Sequence, residues 1–381
     1  MRPRQSGGPV RILHCHSTFS SGGKERRAVQ LMNAFGKACE HTVVSAMPDQ
    51  LGARELINRK VKARFPSDFP SLTGRPTPGR LVTIARAMEG YDLILTYNWC
   101  AMDAVMAHTV FAEQFRLAPL VHHEDGFNED EAAQLKTSRN LYRRAALFKA
   151  NGLVVPSGVL ENIALSKWGQ TRESVTRIPN GIDTKAFAQK PDASALRVVK
   201  RKGERWIGTL AGLRPVKQLP VLVEAMTHTP KNCHLVILGE GPEQSAIREA
   251  ASRFELDHRV HLPGNIADPA SVIGLFDIFA LCSRSEQFPL SVVEAMAAGL
   301  PVAAPAVGDI ASIVAAPNAP FITHPGDTQA LGLALGDLAR DADLRAEVGE
   351  ANRDKARAQF DAARMVDRYR TLYASVMDGD F

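Results

Sequence analysis

The chain is poor in cysteine and has no long apolar run, and each shortage excludes a class of protein. Its 381 residues include five scattered cysteines, none in a Cys-x-x-Cys pair or beside a histidine at ligand spacing: Cys15, Cys39, Cys100, Cys233 and Cys282. This pattern argues against a disulfide framework or a structural zinc site and predicts a reducing compartment. No apolar run reaches the roughly 18 residues of a membrane span, and residues 1–8 are basic with no signal-peptide core. We therefore expect a cytoplasmic protein.

Charge is divided unevenly along the chain. Up to residue 190 there are 26 Lys and Arg against 17 Asp and Glu, whereas the remainder has 20 against 24. A basic N-terminal half can face anionic lipid headgroups or an acidic acceptor, and a solvated surface of mixed charge is the alternative. The basic clusters lack interleaved aromatic residues and no nucleic-acid-binding motif occurs, so we expect no nucleic acid partner.

Short β-branched runs alternate with longer amphipathic segments, which is the pattern of parallel, doubly wound sheets. Strands are predicted at residues 10–15, 42–46, 93–97, 120–122, 152–156 and 174–178, then at 206–211, 234–238, 260–262, 278–281 and 302–304. Helices are predicted at 25–35, 78–88, 130–150 and 361–377. A turn signal, Pro-Asn-Gly-Ile-Asp at 179–183, follows the first set of strands. The sequence therefore predicts an α/β protein made of two Rossmann-like halves.

Two carboxylates, Glu286 and Glu294, stand eight residues apart across a predicted junction of loop and helix. Pro289 suits the first helical turn, and Gly-Leu-Pro at 299–301 is a stop signal. The first free amides, near Leu290 and Ser291, form a positive helix end that can hold a phosphate or diphosphate. One carboxylate could then bond sugar hydroxyls and the other a ribose, which predicts a nucleotide-sugar site.

The stretch from Glu286 to Pro301 resembles the E-x7-E signature of the retaining glycosyltransferases of family 4, whose members share the two-domain GT-B fold. The resemblance implies two Rossmann-like doubly wound parallel-sheet domains that face a central cleft. An acceptor domain would span residues 1–185, a donor domain 186–360, and a C-terminal helix within 361–381 would pack back on the first domain. The Asn-Gly-Ile-Asp turn at 180–183 resembles the family's hinge element.

The resemblance also implies roles for individual residues. Glu286 would position sugar hydroxyls and Glu294 would hold the ribose, in a donor site that also includes Phe288, Pro289, Leu290 and Ser291. Lys217 matches the lysine of the family's G-R-L-x-x-x-K-G segment, whose Arg and Lys clamp the diphosphate. Gly212 stands where the arginine is usual, and Gln218 where a glycine is common. We expect Arg214, on the same loop, to reach the phosphate with its long guanidinium instead.

Three further segments match family elements by position. Gly22-Gly23 before a predicted helix resembles the G-G-x-E loop, which lies near the donor diphosphate or the acceptor, and a plain tight turn is the alternative. Leu262 lies in a segment that corresponds to F-x-G, whose backbone usually reads the nucleobase. Gly-Glu-Gly-Pro at 239–242 resembles the G-x-G-P turn and is interpreted as scaffold. Val-Gly-Asp at 307–309 departs from the family's G-G pattern and is interpreted as a loop former.

A His-His-Glu-Asp cluster ends the predicted fourth strand, where the carboxyl edge of a parallel sheet faces a crevice. Family 4 enzymes often carry a histidine there, beside the reacting sugar. The alignment favours His123 as the catalytic candidate, with His122 and Asp125 as alternates for sugar or acceptor contacts. A metal site built from this cluster is a further alternative; we expect no metal site.

The sequence predicts a hexosyltransferase that moves a sugar from a UDP- or GDP-sugar to a saccharide or lipid-linked acceptor, with retention of configuration, in cell-envelope or exopolysaccharide synthesis. We expect it in the cytoplasm, with peripheral contact at the inner face of an anionic membrane. No cofactor is required in this prediction, and Mg²⁺ is not expected to be essential. Two alternatives stay open: a GT-B nucleotide-sugar epimerase, and a non-catalytic scaffold protein that binds sugar nucleotides.

Overall fold

The structure is a computed structural model that describes residues 8–20, 22–127, 129–131 and 134–379. The basic lead-in predicted at residues 1–8 thus lies outside the described residues, apart from Gly8. The chain forms two compact units. Unit 1 comprises Met1–Pro179 and Met365–Phe381, and unit 2 comprises Asn180–Arg364. The boundaries predicted from the sequence, after residues 185 and 360, differ from these by a few residues.

Unit 1 is built on one sheet of seven parallel strands. Its strands are β1 (Val10–His16), β2 (Cys39–Ser45), β3 (Lys62–Arg64), β4 (Leu93–Tyr97), β5 (Leu120–His123), β6 (Gly152–Val155) and β7 (Val175–Arg177). Its helices are α1 (Gly23–Phe35), α2 (Pro78–Ala87), α3 (Met102–Phe115), α4 (Thr137–Ala146) and α5 (Gly158–Ser166). The strand order is β3-β2-β1-β4-β5-β6-β7. The order reverses direction between β1 and β4, which is the Rossmann-like pattern.

Unit 2 repeats this architecture with six parallel strands. After the short helix α6 (Thr184–Phe187), its strands are β8 (Arg205–Leu210), β9 (Cys233–Leu238), β10 (Val260–Gly264), β11 (Ile278–Ala280), β12 (Val302–Pro305) and β13 (Ile322–Thr323). Its helices are α7 (Leu219–Ala225), α8 (Gln244–Arg253), α9 (Leu290–Ala297), α10 (Ile310–Ile313), α11 (Thr328–Arg340) and α12 (Ala342–Gln359). The order is β10-β9-β8-β11-β12-β13. The prediction of two Rossmann-like parallel-sheet domains is confirmed.

The cores lie on both faces of each sheet, which explains why the strands are apolar without alternation. Every residue of β4, for example, is buried. The last helix, α13 (Ala362–Val376), covers one face of the unit 1 sheet: Met365, Tyr369 and Tyr373 pack in one cluster with Ile12 and Leu95. Among the described residues, no helix combines the length and the apolar character needed to cross a membrane.

One helix prediction was wrong in its start, and two short strands were not predicted. Strands β3 and β13 were not predicted, because they are three and two residues long and lie at the edges of their sheets. The helix predicted at 130–150 begins only at Thr137. Upstream, the Glu131 carboxylate accepts a hydrogen bond from the amide of Lys136 at 3.2 Å and pairs with Arg139 and Arg143. Glu131 therefore stabilises the start of α4 through its side chain and is not itself part of that helix.

Candidate functional site

Helix α9 begins where the sequence analysis placed it. Pro289 is the N-cap, and the first helical residues are Leu290 and Ser291. The amides of a first turn have no acceptor within their own helix, so they present positive partial charge. Glu294 lies one turn further on and is half-buried, and Phe288 precedes the cap with its ring packed on Phe360 at 5.6 Å between centroids.

Glu286 lies in the loop between β11 and α9, and its carboxylate pairs with the ammonium of Lys217. Lys217 ends a short 3₁₀ turn, Pro215–Lys217, that follows β8. The two side chains are 12% and 19% exposed, so the pair remains open to solvent. The structure thus joins two predicted site residues that are 69 positions apart in the chain. Both follow strands of the same parallel sheet at its carboxyl edge, where ligands of such folds bind.

The backbone that carries Lys217 is fixed from two sides. The Cys282 thiol donates to the carbonyls of Lys217 and Gln218 at 3.1 Å each, and burial raises the pKa of that thiol to about 12. The Arg284 amide donates to the carbonyl of Val216 at 2.9 Å. The turn Pro215–Lys217 is followed by Gln218, whose backbone lies in the left-handed region at φ 48°. A glycine tolerates that region without cost, so Gln218 holds a strained turn.

The Gly239-Glu240-Gly241 turn supports the same loop. A Cβ on Gly239, which has φ 145°, would lie 1.9 Å from the carbonyl oxygen of Ala211. The Leu213 amide donates to the carbonyl of Glu240 at 2.9 Å. The contacts are between backbones, as expected of a scaffold turn. Leu262 lies on β10, and the final residue of that strand, Gly264, accepts a hydrogen bond from the Gly239 amide at 2.9 Å.

Arg214 lies over the glycine that replaces the usual arginine. Its side chain is exposed, and its Nε is 3.5 Å from the position that a Cβ on Gly212 would take. The guanidinium therefore occupies space next to residue 212, although it is attached two residues later.

A glycine, Gly308, allows the backbone of the Glu286 loop to pass close by. Gly308 has φ 56°, and a Cβ there would lie 2.3 Å from the carbonyl oxygen of Glu286. The Asp309 amide donates to the carbonyl of Gln287 at 3.2 Å. Because both contacts come from the backbone, the departure from the family pattern at Asp309 leaves this support in place.

In unit 1 the structure places His123 at the end of β5 with its side chain buried. Its side chain is 1% exposed, its Nδ1 donates to the carbonyl of Thr96 at 3.2 Å, and its Nε2 accepts from the Tyr373 hydroxyl at 2.8 Å. Its ring stacks on Tyr97 at 4.6 Å. Burial lowers its pKa well below the ordinary value. Both ring nitrogens are thus engaged by partners within unit 1, and the catalytic role of His123 stays a prediction.

The neighbours of His123 point to separate partners. His122 is 1% exposed, and its Nδ1 lies 2.8 Å from the Thr96 hydroxyl. Asp125 pairs with Arg27 through both oxygens, one of them at 2.8 Å, and its side chain is 11% exposed. Burial works against the charge on Arg27, yet the Asp125 carboxylate outweighs it and raises the pKa of the guanidinium. Asp125 thus lies at the rim of the sheet edge with its charge already balanced.

No group of three or more His, Cys, Asp or Glu side chains is arranged to hold a metal ion in the part of the chain that the structure describes. The alternative of a His-His-Glu-Asp metal site thus has no geometric support. Glu124 is fully buried, and its Oε2 lies 3.3 Å from the Nε of Arg143 and 3.9 Å from the Nε2 of His122.

Gly23 is the first residue of α1, and the turn before it closes on a buried glutamate. The Thr18 hydroxyl donates to Glu25 at 2.6 Å, and the Lys24 ammonium donates to the same hydroxyl at 2.9 Å and pairs with Glu25. A Cβ on Gly22 would lie 2.6 Å from the Glu25 carboxylate. The tight turn is therefore shaped by polar side chains, and Gly23 itself leads into the helix beneath it.

Sequence reasoning missed a stack of aromatic rings at the end of β1. His16 is fully buried and stacks on Tyr97 at 3.9 Å, and His14 bonds both Tyr97, at 3.2 Å, and His41, at 3.0 Å. The spacing of His14 and His16 was the available signal, since residues two apart in a strand share one face.

Comparison with known proteins agrees with this architecture. The family model described as Glycosyltransferase Family 4 matches residues 21–186, and that described as Glycosyl transferases group 1 matches residues 195–355. EpsF of Bacillus subtilis, named a putative glycosyltransferase, is 30% identical over 315 residues, which cover 76% of this chain and 78% of EpsF. WcaL of Escherichia coli, named a putative colanic acid biosynthesis glycosyltransferase, is 26% identical over 229 residues, 56% of this chain and 54% of WcaL. The chain thus spans about half the length of some curated relatives that it matches.

Among solved structures, HepE of Anabaena in complex with UDP superposes with a TM-score of 0.81 at 20% identity and covers 96% of this chain and all of HepE. That likeness shows the fold. The two family models and the match to EpsF together show the family: the chain belongs to the group 1, family 4 glycosyltransferases of the GT-B fold.

Proposed function

We propose that the chain transfers a hexose from a nucleoside diphosphate sugar to a saccharide or lipid-linked acceptor, with retention of configuration. The observation that carries the proposal is the contact between Lys217 and Glu286 at the carboxyl edge of the unit 2 sheet. A donor supplies both a phosphate, which can pair with the lysine, and sugar hydroxyls, which can bond the carboxylate. The ion pair therefore holds the two side chains in place. A bound sugar diphosphate can replace it, with the phosphate on Lys217 and the sugar hydroxyls on Glu286.

The remaining donor contacts follow from the same geometry. Departure of a nucleoside diphosphate builds negative charge on its phosphates, and fixed cations or amides aimed at that charge lower the barrier. Lys217, Arg214 and the first amides of α9 supply positive charge without a metal ion, so we propose that Mg²⁺ is not essential. Glu294 would hold the ribose and Glu286 the sugar hydroxyls.

We propose a UDP-sugar as the first donor to test, with GDP-sugars second. HepE, which shares the fold, was solved with UDP. The acceptor proposal rests on the name of WcaL, which assigns that relative to colanic acid synthesis, and on the positive charge of the first 190 residues. Together these favour an acceptor in polysaccharide or cell-envelope synthesis, used at the cytoplasmic face of a membrane.

Thermal stabilisation by UDP, GDP and ADP, each with and without Mg²⁺, tests the donor site. A nucleotide at about a hundred times its Kd should raise Tm by roughly 5 to 10 °C for a domain of this size. Glu294→Ala should weaken that shift, whereas Glu350→Ala, an exposed glutamate on α12 of the same unit, should leave it unchanged. Absence of any shift in folded wild-type protein would refute the donor site.

A transfer assay then separates the enzymatic alternatives. Wild-type protein should release UDP from a UDP-sugar only when a saccharide or lipid-linked acceptor is added. Conversion of the sugar without an acceptor would favour an epimerase, and donor binding with neither reaction would favour a scaffold protein. Retention is read directly from the anomeric configuration of the product.

A further inference from the structure

Helix α4 carries an apolar stripe that the core of unit 1 does not cover. Phe148 is 80% exposed and Leu141 is 62% exposed. Leu141 lies in α4, and Phe148 lies in the 3₁₀ turn Leu147–Lys149 that continues it. Positions seven apart lie on the same side of a helix, and Ala145 between them is also exposed. Single exposed apolar residues are common, whereas an aligned set of them marks a contact surface.

The opposite side of the same segment packs against the core and helix α3 of unit 1. Ala146 and Leu147 belong to the core cluster beneath the helix. The Tyr142 hydroxyl donates to Asp103 of α3 at 2.6 Å. The Thr109 hydroxyl of α3 donates to the carbonyl of Ala146, and the next residue of α3, Val110, is 55% exposed. The segment therefore has one apolar side in the core and a second that the residues described by the structure leave exposed.

The charge around the outer side is positive. Residues 134–150 contain five Lys and Arg and no Asp or Glu; of the five, Lys136 and Arg139 pair with Asp130 and Glu131 just upstream. Arg143 points inward, whereas Arg144 is exposed and forms no ion pair with any residue that the structure describes. Lys149 is 49% exposed and meets Glu113, itself 87% exposed, at 2.8 Å. Exposed ion pairs of this kind are weak and can exchange for an anion in solution.

We propose that the outer side of α4 and its following turn docks on an anionic lipid bilayer. Phe148 and Leu141 enter the boundary between headgroups and acyl chains, while Arg144 and Lys149 bind headgroup phosphates. A helix that combines an exposed apolar stripe with flanking cations is suited to this position in a membrane. A second copy of the chain fits less well, because a two-fold contact through this surface would bring Arg144 and Lys149 against the same charges.

The inference deepens the proposed function, on which it rests for the presence of a lipid-linked acceptor. Docking through α4 would hold unit 1 at the membrane where such acceptors lie. The nucleotide-dependent thermal shift depends on unit 2 residues, so a failure of docking and a failure of the donor site are measured separately.

Co-sedimentation with vesicles tests the surface. Wild-type protein is expected to bind vesicles of equal parts phosphatidylcholine and phosphatidylglycerol, and to bind phosphatidylcholine vesicles at least about tenfold less. The double variant Leu141→Gln/Phe148→Gln should lose about tenfold or more in partitioning. Arg144→Gln/Lys149→Gln should lose a similar factor on the anionic vesicles and become less sensitive to salt.

The matched control is Leu333→Gln, which changes a 49% exposed leucine on α11 of unit 2. It should bind like wild type, and all variants should keep the UDP-induced thermal shift, which shows that they are folded. Equal binding of wild type to both vesicles, no binding at all, or an equal loss in the control would overturn the proposal. If light scattering shows that the wild type is an oligomer and the apolar double variant is a monomer, the surface belongs to a contact with a second copy instead.

Discussion

Acidification should destabilise unit 1, because three of its histidines are buried where a positive charge is unfavourable. Burial lowers the pKa values of His14, His16 and His123 well below their ordinary range. Neighbouring positive charge adds to this: Lys24 and Arg27 act on His16, and Arg27 acts on His123. Burial also lowers the pKa of His41, which bonds His14, to about 4.

The sign of the effect follows from where the protons bind. A histidine with a lowered pKa stays neutral in the folded state, whereas the unfolded chain takes up a proton below about pH 6.5. The stabilisation is therefore complete above that pH and is lost as the pH falls through it. Each such histidine lowers the free energy of unfolding by about 1.4 kcal/mol per pH unit below its unfolded pKa. Between pH 7.5 and 5.5 the three together amount to about 4 kcal/mol, a large share of the ~5–15 kcal/mol typical of a domain.

Urea denaturation at a series of pH values between 7.5 and 5.5 measures this loss. The variant Trp206→Phe leaves tryptophans in unit 1 alone, at Trp99 and Trp168, so its fluorescence reports that unit. His16→Phe keeps an aromatic ring in the stack and should reduce the loss of stability between pH 7.5 and 5.5 by about 1.4 kcal/mol in total. His324→Asn, at an exposed position of unit 2, is the control. A free energy of unfolding that stays constant from pH 6.5 to 5.5 would refute the argument, as would an unchanged pH dependence in His16→Phe.

Three substitutions test the supports of the loops and of α4. Gln218→Gly should leave unit 2 equally stable or up to about 1 kcal/mol more stable in urea, because it relieves a left-handed backbone while it adds entropy to the unfolded chain; a clear loss would show that the side chain matters. Gly308→Ala should cost about 2–4 kcal/mol and weaken UDP binding, since a Cβ would meet the carbonyl of Glu286 at 2.3 Å; wild-type UDP affinity would count against this loop as a donor element. Arg143→Met should cost about 3–5 kcal/mol because it leaves the Glu124 carboxylate buried without its cation, whereas Arg144→Gln should stay within about 0.5 kcal/mol; equal effects would contradict the inward assignment.

Much of the fold was readable from the sequence. The eleven strands predicted from apolar runs all occur, and the helix that follows Pro289 begins one residue after it. These features depend on residue types within a few positions of each other. Strand β3, which was not predicted, depends instead on a distant segment. It is a Lys-Ala-Arg stretch at a sheet edge and forms because it pairs with β2.

The candidate site was predictable in part. Its residue types and motif spacing pointed to Glu286 and Lys217, and the structure brings their side chains together. His123 carried a signal of the same kind, yet it lies inside unit 1 against Tyr373 of the last helix. A histidine at a strand end looks the same in sequence whether a ligand or a distant tyrosine completes its bonds.

The sequence by itself determined the α/β class, the two repeated halves and the residue types at the edge of the second sheet, because periodicity, turn chemistry and motif spacing are local properties. The tertiary structure alone decided that Lys217 pairs with Glu286, that Arg143 turns inward while Arg144 faces solvent, and that His123 is enclosed. Each of these outcomes depends on which distant segments supply a partner or remove water, and burial and pairing of that kind arise only when the chain is folded.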